Sequence, residues 1–252
     1  MPLDSPRHFK EVYMDCMHDN IGTAAGDGIE WINSSDGGDT AFAVGARAGG
    51  TARGATAATD DNLIELSHGL VAWRPQDGEA YSEHRFQLDV ITNVAVNCGW
   101  NDDALDDSNT LPAELATATW TSNAATFVGL AFDTDATNDD WHAFWVDDDT
   151  DSSTALATLR FQGEAWTAAQ YYTFRTHLQD NGTGNQARAT FSIVDNNGTN
   201  RALNGPVKEF SSTVDRDVLL TPYLGVENRS ATAHQCDVSY IYAKMSLPTG
   251  LT

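Results

Sequence analysis

Apolar residues recur at every second position through much of the chain. At 84–96 (HRFQLDVITNVAV), Phe86, Leu88 and Val90 alternate with Arg85, Gln87 and Asp89, the period of one half-buried strand. The pattern returns at 127–132 (Val128, Leu130, Phe132), 142–146 (His142, Phe144, Val146) and 172–178 (Tyr172, Phe174, Thr176, Leu178). It continues at 187–193 (Ala189, Phe191, Ile193) and 236–242 (Cys236, Val238, Tyr240, Tyr242), and each named set is assigned to the core. Turn-forming segments separate these runs: DTDATNDD at 133–140, DDDTDSS at 147–153, DNGTGN at 180–185 and DNNGTN at 195–200. Segments 171–178 and 187–194 flank an Asn-Gly loop and predict a hairpin. Many short strands with no long segment of 3.6-residue period predict an antiparallel all-β sandwich or barrel, and exclude a parallel α/β fold. No fixed-period repeat marks a solenoid or propeller.

The small, polar stretch 47–62 (RAGGTARGATAATDDN) resembles a linker, but the residues before it are too few for a separate core, so it reads as loop–strand–loop within one domain. The first thirty residues differ. Phe9, Val12, Tyr13, Cys16 and Met17 have helical spacing behind Ser5-Pro6, while VYMDCM reads equally as a strand. Residues 1–30 are therefore an N-terminal arm or the first strand, 31–247 the sandwich, and 248–252 a tail.

Composition narrows the function. The 252 residues carry 36 acidic and 14 basic side chains, for a formal charge of −22. A surface that binds a phosphate backbone needs the opposite balance, so no nucleic-acid partner is expected. A 41% hydrophobic content that includes seven Trp excludes disorder. Abundant Asp with scarce Lys reads as adaptation to salt, as a match to a basic partner surface, or as an ordinary solvated face. Cys16, Cys98 and Cys236 are too few and too far apart for a disulfide framework or a metal site, and read as buried thiols. With no signal-like or membrane-length apolar stretch, the expectation is a soluble protein made in a cytoplasm, with no membrane partner. The sequons at Asn33, Asn181, Asn197 and Asn228 are accordingly set aside.

Catalytic patterns are missing. A glycosidase needs two carboxyl groups facing each other across a groove. Glu79 and Glu83 flank Tyr81, but their four-residue spacing is read as not sharing one strand face, and Glu164, Glu209 and Glu227 are isolated. There is no G-x-S-x-G elbow, no paired-histidine zinc motif and no phosphate loop, so no enzyme is expected. Asp133, Asp135 and Asp139 form a D-x-D-x-x-x-D run that offers hard oxygens to Ca²⁺, although Asn138 stands where a calcium-hand loop turns on Gly and the twelfth-position Glu is missing. Asp147, Asp148, Asp149 and Asp151 form a second acidic run. No cofactor is expected, with Ca²⁺ the one candidate. Trp100, Trp120, Trp141, Trp145 and Trp166 fall at strand ends or opposite the predicted core, where they serve either core packing or stacking on a sugar.

Four segments together carry a family likeness: LVAWRPQDGEAYSEHRFQLDVI (70–91), TFVGLAFDTDATNDDWHAFWV (126–146), AAQYYTFRTHLQDNG (168–182) and LLTPYLGVENRSATAHQCDVSYIYAKMS (219–246). Over roughly 31–246 the chain resembles a concanavalin A-like jelly-roll domain, and more narrowly the version encoded among the structural genes of tailed bacteriophages. The resemblance implies a two-sheet antiparallel jelly roll in a non-enzymatic virion protein, one that decorates or cements the capsid exterior. The implied partners are the major capsid protein and further copies of the chain. The apolar N-terminal residues Phe9, Tyr13, Met14 and Met17 are the expected contact. The alternative is a carbohydrate-binding module of a tail fibre or secreted protein, with a glycan as ligand; a glycoside hydrolase ranks below both. The metal and paired-Glu motifs of the lectin and glucanase members do not occur here, so those activities are not carried over.

Overall fold

The computed structural model describes residues 9–14, 21–22, 31–45, 50–105, 110–151, 160–161, 166–182, 184–195 and 208–246. In chain order the strands are β1 (Phe9–Met14), β2 (Ile21–Gly22), β3 (Trp31–Ser35), β4 (Thr40–Gly45), β5 (Thr51–Ala55), β6 (Leu63–His68), β7 (Ala80–Leu88), β8 (Val94–Asn101) and β9 (Ala113–Ala116). They continue as β10 (Thr119–Ser122), β11 (Phe127–Asp133), β12 (His142–Asp147), β13 (Thr150–Asp151), β14 (Tyr172–Asp180), β15 (Gln186–Asp195), β16 (Lys208–Asp215), β17 (Thr221–Asn228) and β18 (Gln235–Ser246).

Two eight-stranded sheets face each other. The first runs β16-β15-β14-β7-β18-β5-β4, with β1 also pairing β18; the second runs β13-β12-β11-β8-β17-β6-β3-β2. The expected sandwich is thus formed, including the β14–β15 hairpin. Between the sheets lies an aromatic core: Phe86 stacks on Phe174 at 4.6 Å, Trp141 lies 4.4 Å from Phe174, and Trp166 lies 5.2 Å from Trp141. Such contacts stabilise beyond the area they bury. Cys98 and Cys236 are free, buried thiols in this core, while Cys16 lies outside the described residues.

Three sequence expectations change. First, 84–96 is two strands in different sheets: β7 ends at Leu88, Asn93 adopts a positive φ of 56°, and β8 starts at Val94. Asn tolerates that left-handed conformation better than most residues. Second, β12 is buried on both faces. Ala143 and Trp145 face the central core, whereas the expected core residues Phe144 and Val146 face a second, smaller one. Third, β18 changes phase. Its register against β7 slips between Val238, opposite Phe86, and Tyr240, opposite Arg85. Ser239 is the extra residue of a β-bulge, and one such residue transfers every later side chain to the other face. Cys236 and Val238 point inward as expected. Beyond the bulge, Ile241, Ala243 and Met245 are the buried set, and Tyr240 and Tyr242 turn outward.

β1 pairs with β18 along six residues, Phe9 to Met14. Met14 is fully buried in the core and is not available as a surface contact, whereas Tyr13 is 50% exposed. Met17 and the 248–252 tail lie outside the described residues.

Candidate functional site

The outer faces of the two sheets differ. That of the second sheet is covered by the segment containing the β9–β10 hairpin. Ala113, Leu115 and Trp120 bury themselves against Phe127, Ala131, Phe144, Val146 and Tyr223. Side chains of the sheet hold the backbone of this cover. Asn97 exchanges two hydrogen bonds with Ala113 (3.0 and 2.9 Å), Asp133 accepts from the Leu115 N–H (3.0 Å), and Glu227 accepts from the Leu111 N–H (3.2 Å).

Asp133 is committed in a second way. Arg229 donates to both of its carboxylate oxygens, at 3.1 and 2.8 Å, and also to Glu114 (2.9 Å) and to Glu227. Of the proposed calcium ligands, Asp133 is thus buried beneath a guanidinium; Asp135 donates its N–H to Asp133 Oδ1 (3.0 Å), and Asp139 is exposed. Among the described residues no group of three His, Cys, Asp or Glu side chains is disposed to hold a metal ion. The tryptophans are not a platform either. Trp100, Trp120, Trp141 and Trp166 are buried, and Trp145 is half-buried against the core.

Among the described residues the outer face of the first sheet is open, and tyrosines stand on it. Tyr81 on β7, Tyr240 and Tyr242 on β18 and Tyr13 on β1 alternate with the buried positions of their strands. Their rings form a row across the strands: His177 to Tyr81 at 6.0 Å, Tyr81 to Tyr242 at 6.3 Å, Tyr242 to Tyr13 at 6.2 Å and Tyr13 to Tyr240 at 5.8 Å. Glu83 organises the row from below. It accepts hydrogen bonds from the Tyr81 hydroxyl, from the Tyr240 hydroxyl at 2.9 Å and from Arg175 Nε at 2.8 Å. A groove of about 420 Å³ lies over the His177, Tyr81 and Tyr242 part of the row, lined also by Glu79, Lys244 and Ser246. A second hollow of about 440 Å³ shares Glu79 and continues along Gln179, Asn181 and Arg188.

At neutral pH the Tyr81 and Tyr242 hydroxyls keep their protons and are available as hydrogen-bond donors. Burial pushes the Tyr81 hydroxyl up, its bond to Glu83 adding to the effect; burial and a bond to Glu11 push Tyr242 up to about 12. Burial lowers His177 despite the nearby Glu79. The structure also corrects the reading of the glutamates. Glu79 precedes β7 by one residue and reaches His177 (3.6 Å) and Gln179 (2.8 Å), which share the outer face with Tyr81 and Glu83. They do share one face, as a spacing of four on a strand requires. They are separated along it by Tyr81, with Glu83 already bonded to three neighbours, so they form no pair of carboxyls opposed across the groove.

Sequence reasoning placed Tyr240 and Tyr242 in the core and passed over His177 and Lys244. A signal was present. The apolar alternations Cys236/Val238 and Ile241/Ala243/Met245 are out of phase by one residue, the mark of a bulge between them.

No protein-family model matches the sequence, and no curated protein matches it. Solved structures do match in shape. Peanut lectin, solved with a nine-residue peptide, aligns with a TM-score of 0.56 at 10% identity over 96% of this chain and 99% of the lectin. The fold is that of the concanavalin A-like lectins. A protein of unknown function from Shewanella oneidensis MR-1 aligns with a TM-score of 0.57 at 12% identity, covering 95% of this chain and 87% of the other. The metal-free carbohydrate recognition domain of Emp46p aligns with a TM-score of 0.52 at 12% identity, over 85% and 87% of the two chains. At these identities the likeness extends to the lectin-like architecture alone.

Proposed function

We propose that the protein is a non-catalytic carbohydrate-binding protein that takes its ligand on the tyrosine row of the first sheet. The observation that carries this reading is the open groove floored by Tyr81 and Tyr242 and edged by Glu79, His177 and Lys244. Flat rings offer the apolar faces of a sugar a surface to rest on, and the surrounding carboxylate, imidazole and ammonium groups match its hydroxyls. The lectin-like fold supports the same reading, as two of the structures it resembles are peanut lectin and the carbohydrate recognition domain of Emp46p. A glycan array followed by titration calorimetry tests it. Binding is expected, and Tyr242→Ala is expected to weaken it at least tenfold while leaving the melting temperature within a few degrees of wild type. Failure to bind any glycan at millimolar concentration would reject the reading.

A second reading keeps the virion role implied by the sequence resemblance: decoration of the capsid exterior, bound to the major capsid protein by several copies of the chain. The observation that favours it is the exposure of Tyr13 beside Tyr240 and Tyr242, because Tyr-rich surfaces also suit protein partners. Imaging of virions at high resolution checks it. Stoichiometric density for this sandwich on the shell, with the tyrosine face against it, is the expected result; a bare lattice excludes it.

A further inference from the structure

Resting on the carbohydrate reading, the geometry points to a narrower ligand class: we infer that the groove binds the interior of a neutral, linear glycan of about four hexose units, laid across the strands. Direction and length come from the ring row. It steps from β14 through β7 and β18 to β1, with successive centroids 6.0, 6.3 and 6.2 Å apart. Neighbouring strands are about 4.8 Å apart, close to the length of one hexopyranose in an extended chain, so four strands offer about four sugar positions.

Among the described residues the row is open at both ends. At one end Tyr13 is 50% exposed on β1. At the other, His177 pairs with Thr190 of β15, whose side chain is short. A pocket for a terminal sugar would be walled at one end, whereas this groove lets a chain enter and leave.

Neutrality follows from the charges. The central part of this face carries Arg53, Arg85, Arg175 and Lys244 against Glu11, Glu79, Glu83 and Asp237, four of each sign. Two of the four cations are already matched to carboxylates, Arg175 to Glu83 at 2.8 Å and Arg53 to Asp237, and Arg85 lies over the Tyr171 ring. A uronate or sulfate chain would have to displace these partners on a protein of net charge −22. A chain of neutral hydroxyls does not.

Calorimetry with neutral β-glucan oligosaccharides of one to six residues, alongside oligogalacturonates of the same lengths at low and high salt, tests the inference. Affinity for the neutral series is expected to rise at least tenfold from one residue to four and then level off. Tyr13→Ala is expected to weaken the tetramer about fivefold and leave the dimer unchanged, with an unaltered melting temperature. Equal affinity for monomer and hexamer would overturn the chain-binding inference while preserving carbohydrate binding, as would a preference for the anionic series. No binding in either series, combined with a blank glycan array, would instead reject the underlying reading.

Discussion

Arg229 is the side chain on which the covered end of the second sheet depends. Its side chain is 7% exposed and gathers Asp133, Glu114 and Glu227. Truncating it leaves the buried Asp133 carboxylate without its counter-charge, which typically costs about 3–5 kcal/mol. Arg229→Ala is expected to lose that much in urea denaturation. Glu227 adds a pH signature. Burial pushes its carboxyl from an ordinary 4.5 up to about 8, against the pull of Arg229. Between those two values the unfolded chain has released a proton that the folded chain keeps, so this group's contribution makes stability fall as pH rises from 4.5 to about 8. Glu227→Gln is expected to flatten that slope, by an amount on the order of 4 kcal/mol between about pH 5 and 8.5. An unchanged slope in denaturation at the two pH values would show that Glu227 does not hold the proton.

At the level of elements, the cover over the second sheet fits because Gly225 clears a space for it. A Cβ on Gly225 would lie 2.7 Å from Leu111 Cδ2 and 2.5 Å from the Tyr223 hydroxyl. Overpacking of this kind costs about 1–3 kcal/mol. Gly225→Ala is expected to lower thermal stability accordingly and to speed amide exchange in 111–122 while β8 and β17 stay protected; uniform exchange would show that the cover is not a separable layer. The same elements show what the sequence makes legible. The alternations Val128/Leu130/Phe132 in β11, Tyr172/Phe174/Thr176/Leu178 in β14 and Ala189/Phe191/Ile193 in β15 identify the inward faces because each strand is regular from end to end. β18 misleads because Ser239 interrupts the ladder, and an alternation extrapolated across that residue puts both of its tyrosines on the wrong side. β12 misleads differently: period two separates two faces but does not say that each meets its own core. The tyrosine row escapes linear reading for a related reason, since its members come from four strands that are neighbours only in space.

For the whole molecule, two groups of acidic residues gather at the two ends of the sandwich. Asp102, Asp103, Asp147, Asp148, Asp149, Asp215 and Asp217 surround one end, where burial and Asp103 push the Asp102 carboxyl up to about 6. Asp60, Asp61, Asp135 and Asp139 sit at the other. Like charges so placed repel one another in the folded state and are relieved by screening. Raising NaCl from about 10 mM to 1 M is expected to raise the melting temperature by about 3–8 °C. A flat or falling response in calorimetry would show that the carboxylates are not under mutual strain. The bulge at Ser239 has a consequence at this scale as well. By turning Tyr240, Tyr242 and Lys244 outward it places aromatic rings and a cation on a face whose named charges balance, between two acidic poles. Two copies of the protein, or an anionic polymer, meet a barrier on approaching either pole that this face does not add to. One inserted residue therefore decides which side of the molecule repels an approaching anion least, as well as the inner phase of its strand.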